Sequence, residues 1–137
     1  MIQYRFPITG LKQSTNKIYA GQHWGKRQKF KDSVLDYVAG FCRPVQAPRS
    51  YPVEISYRFL FRSRAIDTLN TAYLAKTIED SFRAVGILED DDPKHVARTV
   101  LEVVAADKKK NSKAVSNSGR QTDEKNEDYV EITIKEI

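Results

Sequence analysis

Cysteine, methionine and tryptophan each occur once in these 137 residues, and histidine twice. A single cysteine, Cys42, cannot close an internal disulfide, so the chain is expected to rely on its core and to reside in a reducing cytoplasm. Cys42 itself reads as a small buried hydrophobe. Two histidines, His23 and His95, with one cysteine leave too few ligands for an expected structural zinc site. No run approaches the roughly 20 apolar residues that a membrane span requires. The opening MIQYRFPITG alternates and then turns, unlike the apolar core of a signal peptide. No internal repeat is visible.

Apolar residues make up 40% of the chain and charged residues 30%, the balance of one soluble globular domain spanning 1–137. Twenty-three Lys and Arg against 18 Asp and Glu give a net charge of +5. That surplus favours polyanionic partners through counterion release.

Periodicity divides the chain. Ile2, Tyr4, Phe6 and Ile8 alternate with Gln3, Arg5 and Pro7, which predicts a half-buried strand. The segment KQSTNKIYAGQHWGK has no regular period and reads as a loop. Its Trp24, beside His23, suits either a core position or stacking on an unpaired base. From Lys26 to Phe41 a helix is predicted, with Phe30, Val34, Tyr37, Val38 and Phe41 on one stripe. Lys26, Arg27, Lys29 and Lys31 crowd its first turns, where cations oppose the helix dipole. A bound anion would offset that cost; a plain solvated basic face is the alternative.

RPVQAPRSYP is a proline-rich connector. PVEISYRFLFR is the clearest strand, with Val53, Ile55, Tyr57, Phe59 and Phe61 facing one way. A second helix is expected over Thr68–Val85, capped by Asp67 or Thr68 and closed by Gly86 in the left-handed conformation. Ala75, Ile78, Phe82 and Val85 form its apolar stripe. HVARTVLEVVA carries branched residues on both faces, which predicts an interior strand. Residues 107–127 are polar and charged, and read as a mobile loop. YVEITIKEI then alternates, with Val130, Ile132 and Ile134 inward. The order β-α-β-α-β-β implies an α+β, two-layer fold, with two helices on one face of a mixed sheet of about four strands.

Against this basic background the run GILEDDDPKHV concentrates negative charge. The candidate groups are Asp67, Lys76, Glu79, Asp80, Glu89, Asp90, Asp91 and Asp92. Clustered carboxylates hold Mg²⁺ through oxygen. A metal ion so held can activate water and stabilise charge developing on a phosphodiester. Lysines and arginines around it would hold the phosphate backbone that a bare acidic patch repels. The bland readings are a capping Asp67, an exposed Lys76–Asp80 pair worth a few tenths of a kcal/mol, and a solvated turn before Pro93.

The arrangement D67-T-L-N70, K76-T-I-E-D80, G86-I-L-E-D90-D91 and a valine-rich strand resembles the RusA-like Holliday junction endonucleases. The upstream S14-T-N16-K-I-Y19 is similar to that family's N-terminal segment. The resemblance spans most of the chain, and Lys76–Asp91 is its specific part. It implies a homodimeric, Mg²⁺-dependent endodeoxyribonuclease (Mn²⁺ substituting) that resolves four-way DNA junctions, in a phage or prophage setting. By position it implies Asp67, Lys76 and Asp91 as catalytic, and Asp67, Asp90 and Asp91 as metal ligands. For DNA it points to Asn16, Lys17, Tyr19, Lys26, Arg27 and Lys29, with Lys108, Lys109 and Lys110 on the long loop. The first acidic motif, usually Asp-x-Asp-Asn, lacks one carboxylate here, with Asn70 or Glu79 as substitute oxygen donors. A relative that binds branched DNA without cutting it is the alternative. A protein adaptor presenting an acidic loop is a third reading.

Geometry sets a condition. An 18-residue helix is about 27 Å long, and residues 86–91, fully extended, return at most about 20 Å. Asp67 and Asp91 therefore meet only if the segment after the helix folds tightly back, or if a two-fold dimer shares the site.

Overall fold

The computed structural model describes residues 1–11, 24–42, 47–62, 65–105 and 127–137, with Trp24 described for its backbone alone. Asn16, Lys17, Tyr19, His23, Lys108, Lys109, Lys110 and all of the predicted long loop but Glu127 lie outside them. The elements are β1 (Ile2–Pro7), α1 (Trp24–Phe41), β2 (Val53–Phe61), α2 (Ala72–Ala84), β3 (Val96–Ala105) and β4 (Tyr129–Glu136). The fold is α+β, with a mixed four-stranded sheet in the order β1-β4-β2-β3. β4 lies antiparallel between β1 and β2, while β2 and β3 run parallel. Parallel neighbours need a crossover, and α2 is the element that makes it.

The period-2 pattern becomes rows across the sheet. Tyr4, Ile132, Tyr57 and Leu101 stand side by side on the four strands, as do Phe6, Val130, Phe59 and Val103. Phe30, Val34 and Val38 of α1, and Leu74, Ala75, Ile78 and Phe82 of α2, enter the same core. Phe41, at the end of the α1 stripe, is exposed, although its ring stacks 5.8 Å from Phe6. The opposite face of the sheet is polar and charged: Arg5, Glu131, Arg58 and Glu102 form one row across it.

Buried Asp128 fastens three strand ends. Its Oδ1 accepts from the Arg62 N–H at 2.8 Å, its N–H donates to Thr9 Oγ1 at 3.0 Å, and its carbonyl accepts from the Ile8 N–H at 2.8 Å. Among the described residues no helix is long and apolar enough to cross a membrane.

Three local expectations change. The second helix does not start as an α-helix: Thr68–Thr71 is a 3₁₀ turn that leads into α2. Asp67 precedes it without a side-chain capping bond; the turn is closed instead by the Asn70 N–H on the Asp67 carbonyl at 2.8 Å. And β3, with branched residues on both faces, lies at the edge of the sheet among the described residues rather than in its interior. Gly86 does adopt the left-handed conformation expected of it, at φ +87°, and the chain turns there to leave the helix.

Candidate metal and phosphate site

The segment after Gly86 folds back along the helix it has just left. Ile87 and Leu88 are buried in the core. Their N–H groups both reach the Phe82 carbonyl, at 2.8 and 3.3 Å. That anchor sets the following acidic run against the exposed side of α2. Asp91 Oδ2 lies 2.6 Å from Lys76 Nζ, and Asp80 Oδ1 lies 3.0 Å from the same ammonium. Arg83 Nε stands 3.8 Å from Asp90 Oδ1.

The carboxylates also close the turn they occupy. Asp90 Oδ1 accepts from the Asp91 N–H at 2.7 Å. Asp92 Oδ1 accepts from the N–H groups of Lys94 and His95, both at 3.1 Å, and lies 2.6 Å from His95 Nδ1. His95 is further held by Tyr51, whose ring meets it edge-on at 4.8 Å between centroids. Glu89, exposed as its sequence position suggests, brings Oε2 to 3.4 Å from His95 Nε2. One ligand atom each from Asp90, Asp92 and His95 lie within 4.8 Å of one another, so this half-buried trio can hold a metal ion.

Beneath Lys76 is a pocket of ≈ 150 Å³ lined by Tyr57, Ala72, Ala75, Lys76, Glu79, Thr99 and Leu101. Glu79 is 8% exposed, and its Oε1 accepts from the Tyr57 hydroxyl at 3.1 Å. Burial drives the Glu79 pKa up, partly opposed by the Tyr57 bond and the Lys76 charge. Tyr57 is raised for the same first reason, burial, with Glu79 adding to it. Closer to solvent the directions reverse. The Lys76 bond depresses the Asp91 carboxyl, and the bond to Asp91 is the main reason that Lys76 holds its proton above the ordinary lysine range. Asp92 is lowered and His95 raised, each chiefly by their mutual hydrogen bond. Five carboxylates (Asp80, Glu89, Asp90, Asp91, Asp92) thus gather near Lys76, Arg83, Lys94 and His95, a mixed-charge cluster whose carboxylates a divalent cation could bridge.

Of the residues singled out from the sequence, the structure brings together Lys76, Asp80, Asp90 and Asp91. Asp67 stands at the far end of the 3₁₀ turn, about 15 Å along the axis from Lys76, taking 2.0 Å per residue in the turn and 1.5 Å in the helix. It is exposed. Lys26 and Lys29 are exposed and Arg27 half-buried on the first turns of α1, which carry no acidic residue. Sequence reasoning missed Asp92 and His95 as a unit. Asp-Pro-Lys-His was the available signal: a proline after the aspartate favours a tight turn that returns residue i+3 to residue i. It also left Tyr57 as a plain core residue, because the pattern cannot show that its hydroxyl meets a carboxylate 22 positions on.

The donor set bears on which ion fits. Two carboxylates and an imidazole suit Mn²⁺ or Zn²⁺ better than Mg²⁺, which prefers an all-oxygen shell rich in water. Compared with known proteins, the chain matches no family model and no curated protein.

Proposed function

We propose that this chain is a divalent-metal-dependent endonuclease acting on branched DNA, the activity implied by its resemblance to the RusA-like junction resolvases. The observation that carries the reading is the return of residues 86–91 along α2, which sets Asp91 on Lys76 with Asp90 beside it. A bound metal ion would supply the activated water and the stabilisation of charge on the scissile phosphate. Asp90, Asp92 and His95 are the residues to hold it, and Asp91 adjoins them.

The chain's own groups then have distinct tasks. Lys76, kept protonated by Asp91 and Asp80, presents a positive charge where phosphate charge develops. Glu79 lies behind it, buried against Tyr57, with its ionised form disfavoured. Lys26, Arg27 and Lys29 on α1 hold backbone phosphates further away, and the salt dependence of binding should reflect their number. Symmetric cutting of a junction calls for two such sites on a two-fold axis, hence a homodimer. Buried Cys42, its thiol pushed up to about 12 by burial, is compatible with a reducing, cytoplasmic setting.

A synthetic four-way junction incubated with Mg²⁺ or Mn²⁺ tests the reading. Wild type should cut it and Asp91→Asn should bind without cutting. Binding without cleavage by either protein supports the second reading, a branched-DNA binder. What favours that reading is the position of Asp67, distant along the helix from Lys76, with no second carboxylate in its own segment. Absence of salt-sensitive DNA binding would end both.

A further inference from the structure

The edge strand β3 is long and free of proline, and its edge marks are confined to two charges, Arg98 and Glu102, and a register break at its start. Such strands are normally short, or interrupted by proline, or protected by inward charge. β3 runs for ten residues without proline, its register with β2 is broken only near Val53 and Glu54, and it carries branched residues on both faces. Val100, in its middle, is 39% exposed on the polar side of the sheet. Among the described residues nothing pairs with its outer side.

The charges beside Val100 show what would. Arg98 and Glu102 flank it at two residues on either side, on the same face. Within the chain each already meets its opposite on β2: Arg98 pairs with Glu54, and Arg58 Nε lies 3.5 Å from Glu102 Oε1. Those pairs belong to longer rows. Across the four strands Arg5, Glu131, Arg58 and Glu102 alternate in sign, and across three of them so do Lys135, Glu54 and Arg98. A second β3 laid antiparallel, with the two-fold axis through Val100, sets Val100 against its own copy. It sets Glu102 against the other copy's Arg98. The two rows then join into one of seven residues, from Arg5 through Glu102 to the other copy's Arg98 and Lys135, with no like-charged neighbours. On the helix side the same register places Thr99 opposite Leu101, a small residue against a large one. A parallel arrangement would place Arg98 beside Arg98 and Glu102 beside Glu102, which is destabilising.

We propose that β3 is the interface between two copies of this chain, joined edge to edge and antiparallel about Val100 into one eight-stranded sheet. This deepens the dimer component of the reading above by naming its surface. A two-fold perpendicular to the sheet puts both copies' helices, and so both Lys76–Asp91 pairs and both Tyr57–Glu79 pockets, on the same side of the joined sheet. The interior-strand pattern of β3 then has its explanation: the strand is interior in the pair.

Sedimentation of the full chain across a concentration series, without DNA or metal, tests the interface independently of any nuclease activity. We expect a dimer. Val100→Asp, an exposed-face change, should abolish it while leaving the far-UV circular dichroism intact. Val100→Cys should cross-link to its own copy under mild oxidation, whereas Val104→Cys should not, because the register places position 104 against position 96. A monomer at every concentration overturns the proposal. So does a dimer untouched by Val100→Asp, or one in which position 104 cross-links and position 100 does not. Should the monomer also show slow amide exchange at alternate β3 residues throughout, the chain's own remaining residues cover the edge and the proposal fails.

Discussion

Tyr57→Phe should destabilise the protein in a pH-dependent way. The Tyr57 hydroxyl is the buried donor to Glu79 Oε1 at 3.1 Å, and Glu79 already sits above its ordinary value of 4.5 because burial disfavours its charge. Between the ordinary value and the raised folded one, the native state holds more protons than the unfolded state. Stability therefore falls as pH rises through that window and then levels. Removing the donor takes away a contact that lowers the Glu79 pKa, so the folded value climbs further and the fall deepens. Below pH about 4.5, where Glu79 is protonated in both states, the variant forfeits only a neutral hydrogen bond, roughly 0.5–1.5 kcal/mol. Near pH 8 it leaves a buried carboxylate short of a partner, at a cost of about 1–3 kcal/mol. Urea denaturation of both proteins at half-unit steps from pH 4 to pH 8 measures the difference. A gap that is constant across the range, or that narrows as pH rises, would refute the assignment of Glu79 as a buried group strained by its charge. Glu79→Gln supplies the converse: it should flatten the pH profile and gain stability relative to wild type near pH 8.

Lys76→Met should cost under about 1 kcal/mol near pH 7, because the lysine side chain is 58% exposed and its pairs are screened. The Asp91 carboxyl is depressed by Lys76, so that contribution exists above the ordinary carboxylate range and vanishes as pH falls through the lowered folded value; guanidinium titrations at pH 7 and pH 2.5 check it. Asp92→Asn should bring the His95 pKa down toward the ordinary histidine range in an NMR titration, since the Asp92 bond is the first cause of its elevation; an unmoved value would show that the contact does not form in solution. Gly86→Ala should destabilise by roughly 1–2 kcal/mol through backbone conformation alone, because φ is +87° and no atom lies within 4 Å of an added Cβ. Thermal denaturation detects it, and an unchanged midpoint would contradict the left-handed turn.

What the sequence showed most clearly was whatever repeats along the chain. The alternation of Ile55, Tyr57, Phe59 and Phe61, the 3.6-residue stripe of Ile78 and Phe82, and the glycine after α2 are local signals, and each maps onto an observed element. Lys76 and Asp91 stood out as candidates in the clustered charge, but their contact was not legible: it depends on Ile87 and Leu88 entering the core, a tertiary event that no periodicity encodes. The edge position of β3 was hidden for a similar reason. Branched residues on both faces favour a strand with neighbours on either side, but they do not say which molecule supplies the second neighbour. Tyr57 and Glu79 show the limit from another side. Each fits its own apolar or amphipathic pattern, and only the packing of α2 on β2 turns them into a hydrogen-bonded pair.

Four adjacent carboxylates, Glu89 to Asp92, would be expected to repel one another. They stay together, because three of them are given a structural partner first: Asp90 takes the Asp91 N–H, Asp91 takes Lys76, and Asp92 takes the Lys94 and His95 N–H groups with the imidazole. These bonds fix the side chains before any ligand arrives, so the entropy of ordering them is borne by folding rather than by binding. They also set a competition. An ion that takes His95 through Nδ1 displaces the contact with Asp92, and one that takes Nε2 leaves it in place, whereas an ion approaching Asp91 must share it with Lys76. Occupancy at His95 should therefore change its ring signals directly, and occupancy at Asp91 should change those of the Lys76 side chain. Stronger Mn²⁺ broadening of His95 than of the Lys76 methylenes places the ion nearer the turn, the reverse places it nearer the helix, and an effect on neither at saturating ion removes the metal from the chemistry of this site.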